Sequence, residues 1–128
     1  MRNHEDLEVW RKAHGLTLAV YQLTNGFPKS EMFGLSSQIR RAAASIEANL
    51  AEGCGRWSDP ELARFVRIAM GSASELQCHL LLAKDLGFID SKVHSGTLVR
   101  LTSVRQMLVA LLKTVDRSRK QISKVADS

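Results

Sequence analysis

Apolar residues return along this chain in steps of three and four, in four blocks separated by short runs of glycine, proline and small polar residues. The first block, Val9, Ala13, Leu16, Val20 and Leu23, follows a 4-3-4-3 rhythm and predicts a helix over roughly residues 5–25. Leu7, Trp10, His14, Thr17, Tyr21 and Thr24 form a second stripe beside it, so this helix has a wide buried face and more than one neighbour. Asn25-Gly26-Phe27-Pro28 ends it, because glycine suits a helix C-cap and proline cannot continue the ladder. Leu35, Ile39, Ala42, Ile46 and Leu50 mark a second helix over roughly 35–53, closed by Gly53-Cys54-Gly55. Its start is open, since Ser30, Ser36 and Ser37 all suit an N-cap.

Ser58-Asp59-Pro60-Glu61 is the sharpest local signal, either as a Ser58/Glu61 capping box or as an Asp59 cap before a first-turn proline. Leu62, Phe65, Ala69, Ser72, Leu76, Leu80 and Ala83 then carry a third helix over roughly 59–86, with Gly87 as its stop. Leu101, Val104, Leu108, Leu111 and Val115 carry a fourth over roughly 90–120. Four helices with brief links and no repeat or second domain predict one all-α, antiparallel, up-down-up-down four-helix bundle spanning residues 1–128.

Charge sharpens this picture. The chain has 18 Lys and Arg against 13 Asp and Glu, and the whole +5 excess lies after residue 99, where seven cations face only Asp116 and Asp127. Lys113, Arg117, Lys120 and Lys124 step 4-3-4 along one face of the fourth helix, flanked by Arg105 and Arg119. Such a stripe suits a phosphate backbone, and equally a solvated face near a helix C-terminus. No aromatic residue follows Phe88, which argues against base stacking there. Arg40 and Arg41 form a smaller basic pair, as do Arg64 and Arg67; Arg41 sits where Glu47, Glu52 or Glu75 could pair with it across a helix interface.

Catalytic chemistry finds little support. A dimetal carboxylate bundle needs Glu-x-x-His on two helices, whereas Glu75 and His79 are four apart, and His14 and His79 read as hydrogen-bonded structural histidines. Cys54 stands in a glycine turn without a base nearby in sequence, and no phosphate loop or nucleophile elbow occurs. The expectation is a non-enzymatic protein with no metal and no cofactor. Cys54 and Cys78 do not form a disulfide framework, and there is no apolar leader or membrane-length run, so a reduced cytoplasmic setting is expected. Gln38, Ser45, Asn49 and Ser72 fall on inner stripes and need partners there. Trp10, Tyr21, Phe33, Trp57 and Phe65 serve either the core or an interface between subunits.

Phe27-Pro28-Lys29, Phe33-Gly34-Leu35, Gln38-Ile39-Arg40-Arg41-Ala42, Ser45-Ile46, Asn49-Leu50-Ala51-Glu52-Gly53, Glu61, Arg64-Phe65 and Gly71-Ser72, together with Leu7-Glu8-Val9-Trp10 and Leu86-Gly87-Phe88-Ile89, resemble the four-helix-bundle proteins of the 23S rRNA intervening sequences. The likeness runs over about two-thirds of the chain and extends to retroelement accessory (variability determinant) proteins. It implies a bacterial cytoplasmic protein assembled as a ring of five bundles, binding RNA or DNA and a protein such as a reverse transcriptase, without enzymatic activity. A protein-interaction scaffold with no nucleic-acid role is the alternative, and no membrane role is implied.

Overall fold

In the computed structural model the backbone is described for residues 2–127 and the side chains for residues 2–117. Four helices account for most of it: α1 (Glu8–Thr24), α2 (Leu35–Cys54), α3 (Asp59–Asp85) and α4 (Ser91–Asp127), with no strand among the described residues. Residues from all four meet in one buried cluster, in which Val20, Ile39, Ile46, Leu50, Leu76, Leu80 and Leu108 have no exposed surface. The protein is therefore an all-α four-helix bundle.

Local chemistry sets the ends. Ser58 Oγ accepts the amide of Glu61, choosing the serine over Asp59 as the cap of α3. Asp90 caps α4 in the same manner, taking the amide of Val93 at 2.7 Å. Gly87 ends α3 with φ of +80°, a left-handed conformation that costs a glycine little. Three details of the helix ends differ from the expectation, among them the cap of α2, whose start at Leu35 is as expected. The first helix begins at Glu8, because Asn3 caps a separate 3-10 turn over His4–Asp6. None of the three serines starts α2; Gly34 holds the cap position, and the carboxylate of Glu31 accepts the Leu35 amide at 3.0 Å. The fourth helix also runs further than expected, to Asp127.

Neighbouring helices are tied by polar contacts as well as by the core. His14 Nδ1 donates to Glu47 Oε2 at 2.7 Å between α1 and α2, and Arg40 Nε donates to Thr24 Oγ1 at 2.7 Å further along the same pair. Between α2 and α3 the hydroxyls of Ser45 and Ser72 meet at 2.9 Å, and Asn49 Nδ2 donates to Ser45. Arg105 donates to Gln77, and Arg67 pairs with Asp116, between α3 and α4. Ser45, Asn49 and Ser72 thus find the partners their inner positions require. Gln38 does not share that role, since it lies exposed beside a surface groove.

Candidate functional site

The exposed outer row of α4 carries Val99, Gln106, Ala110, Lys113 and Arg117, with Ser103 half-buried in the same row. Lys113 and Arg117 are one turn apart, and neither is paired with a carboxylate among the described residues. The adjacent acid, Asp116, is turned toward α3, where Arg67 Nη2 reaches it at 3.4 Å. Among the described residues, their charges therefore face solvent without a carboxylate paired to them. The side chains of Arg119, Lys120 and Lys124 lie outside the described residues.

Of the other cations named from sequence, Arg40 and Arg105 are engaged within the subunit. Arg40 is tied down by Thr24, by the Asn25 side chain at 3.0 Å and by the face of the Tyr21 ring, 4.8 Å from its centroid. Its guanidinium completes the C-terminal turn of α1, where the helix carries partial negative charge. Arg105 is half-buried and donates to Gln77 Oε1 at 2.6 Å, with its second terminal nitrogen buried and unpartnered. Arg41 is exposed, but the pairing expected for it is not found. Glu47 is taken by His14, Glu52 by Arg56 and Glu75 by His79, and Arg41 lines a groove of about 420 Å³ with Gln38, Ala42, Ser45, Glu75 and His79.

A second cationic feature lies where α1 faces α4. Arg11, Lys12 and Gly15 from the one and Val99, Arg100 and Ser103 from the other line an open groove of about 500 Å³. Sequence reasoning passed over Arg11, Lys12 and Arg100, because residues 1–99 balance in charge overall and Arg100 stands apart from the 4-3-4 stripe. Only the packing of the first helix against the last brings them together.

The aromatic residues divide similarly. Trp10 is half-buried against the core and stacks on the His14 ring at 5.0 Å. Phe65 is buried at 8% exposure, so it serves the subunit's own interior and is not an accessible anchor. Tyr21 is partly exposed beneath Arg40. Phe33 and Trp57, at 93% and 86% exposure, stand free in the connections before and after α2. Among the described residues no group of three His, Cys, Asp or Glu is placed to hold a metal, and no helix is long and apolar enough to cross a membrane. Cys54 is buried, and that burial pushes its thiol pKa up; Cys78 is exposed.

The fold and these surfaces define a helical-bundle protein with basic outer faces. Residues 5–110 match the family of 23S rRNA-intervening sequence proteins, and the chain belongs to that family. A crystal structure of a protein with unknown function from the S23 ribosomal protein family of Bacteroides thetaiotaomicron has the same fold, with a TM-score of 0.77 at 23% identity, covering 82% of this chain and 98% of that one. No curated protein matches the chain.

Proposed function

We propose that this protein binds nucleic acid, RNA in preference to DNA, through the outer face of α4, and does so without catalysing a reaction. The observation that carries this is the pair Lys113 and Arg117, exposed on one row while the adjacent acid is drawn away to Arg67. Phosphates placed along such a row release condensed counterions, a gain that needs no base contact and suits a surface without aromatic residues. The ribosomal RNA and ribosomal protein in the names of the family and of its structural neighbour support RNA as the polyanion.

In this reading the helices run up-down-up-down, in keeping with contacts that pair the late part of α1 with the early part of α2 (Thr24 with Arg40) and its middle with the later part (His14 with Glu47). Copies of the bundle assemble into a ring, five by family resemblance, with Phe33 and Trp57 available as anchors between subunits. Repetition of the basic row around a ring multiplies a few phosphate contacts into useful affinity. Two free thiols suit a reducing cytoplasm.

Binding of labelled RNA and DNA over a salt series tests this, beside the double variant Lys113→Gln/Arg117→Gln. The expected result is a steep fall of affinity with salt, whose slope flattens by about one for each phosphate-contacting cation removed. Absence of binding at low salt would overturn it. Phe33 and Trp57 also favour a second reading, a protein-docking scaffold; a partner retained through nuclease treatment and high salt, and lost on Trp57→Ala, would favour that reading instead.

A further inference from the structure

The groove between α1 and α4 holds three cations on two walls, Arg11 and Lys12 facing Arg100, and none of its six lining residues is acidic. No ion pair among the described residues reaches any of the three. Arg11 spends one N–H on the carbonyl of Glu5 at 2.8 Å, which fixes the side chain without neutralising it and leaves its other donors available. Ser103 adds a hydroxyl, and Gly15 adds no side chain to the lining. Three like charges lining one open groove raise the local potential and are relieved by a ligand carrying several negative charges.

We propose that this groove is a binding site for an oligophosphate group, held by the guanidinium forks of Arg11 and Arg100 and the ammonium of Lys12. A lone carboxylate would compensate only one of the three charges. A chain of two or three phosphoryl groups matches their number and offers the oxygens that guanidinium groups engage in pairs. The same chemistry is presented by free inorganic triphosphate, by a nucleotide and by the 5′-triphosphate end of an RNA. The groove shares Val99 and Ser103 with the outer row of α4 but lies about 15 Å or more along the helix from Lys113 and Arg117, so variants at the two places separate it from the backbone binding proposed there.

Calorimetric titration of the full chain with inorganic triphosphate, in buffer of physiological ionic strength, provides the test. Saturable binding at one site per subunit is expected, weakened at least tenfold by Arg11→Gln/Arg100→Gln and changed less than twofold by Lys113→Gln/Arg117→Gln. Ser103→Asp keeps every cation and places an acid in the same groove, so it should also weaken binding at least tenfold; circular dichroism melting checks that each variant folds. No saturable binding, or equal loss in the groove and outer-row variants, would overturn the proposal. RNAs of one sequence with a 5′-triphosphate or a 5′-hydroxyl distinguish the sources. A preference for the triphosphate that disappears in the groove variant assigns an RNA end, and equal affinity for both RNAs alongside triphosphate binding assigns the free ligand.

Discussion

The seam between α2 and α3 and the seam between α1 and α4 use the same kinds of small residue to opposite ends. At the first, Gly53 lets the backbones approach so closely that an added Cβ would lie 2.9 Å from Phe65 Cβ and 3.0 Å from Leu62 Cδ1. Ser45 and Ser72 close the same seam with a hydroxyl contact at 2.9 Å. At the second, a Cβ added to Gly15 would meet nothing within 4 Å, and the space beside it is the cationic groove. Met107, Leu111 and Leu112 of α4 are only partly buried against the core, whereas Leu76 of α3 has no exposed surface. A small residue thus marks close packing only where the opposing helix is already near. Where the neighbour stands off, it widens a cleft, and charge can collect there without the desolvation that a buried cation would suffer.

The largest test is truncation at a closed and at a partly open position of the core. Leu76→Ala should cost about 2–5 kcal/mol, the range for emptying a fully buried leucine site, and Leu111→Ala clearly less, because solvent already reaches it. Urea denaturation of both variants measures the difference, and equal losses would remove the distinction between closed and partly open packing. Next in size is Gly53→Ala. Its methyl must displace Phe65 at Cβ, an atom that moves only with the backbone, so a loss of about 1–3 kcal/mol is expected. Gly15→Ala should have the reverse sign. It adds a methyl in open space on a helix interior and should raise stability by about 0.5–1 kcal/mol, read as an increase in the denaturation midpoint.

These seams also show what the amino-acid pattern could and could not convey. The helices were legible because each buries a continuous apolar stripe, and the start of α3 at Ser58-Asp59 and its stop at Gly87 were legible because their chemistry is local. The start of α2 was hidden, since its cap comes from Glu31, an acid four residues before the Leu35 amide and outside the usual run of serine signals. Part of the basic surface was illegible for a related reason. Lys113 and Arg117 stand on one helix at helical spacing, so their common exposure follows from periodicity. Arg40 looks as basic in sequence, yet its charge is committed to Thr24, Asn25 and Tyr21. Arg11, Lys12 and Arg100 lie some ninety positions apart in sequence at their extremes, and only the closure of the bundle makes them one site.

The two cysteines refine the comparison at its smallest scale, for Cys54 closes α2 at the tight seam and Cys78 lies exposed on α3. Desolvation is the larger influence on Cys54 and raises its pKa above the ordinary 9.0, with the charge of Arg2 acting more weakly in the opposite direction. A thiol whose pKa is raised by folding contributes stability that is fully present below its unfolded value and is lost as pH rises through the folded value. Stability should therefore decline above about pH 9 by an increment that Cys54→Ala abolishes and Cys78→Ala leaves in place. Denaturation of the three proteins at pH 8 and pH 10 isolates that increment, because lysine and tyrosine titration is common to all of them. Alkylation by iodoacetamide at pH 8 offers the kinetic counterpart: Cys78 should react first, and Cys54 only as fast as the end of α2 opens. Equal pH dependence in the two variants, or equal labelling of the two thiols, would mean that the end of α2 leaves Cys54 as accessible to solvent as Cys78.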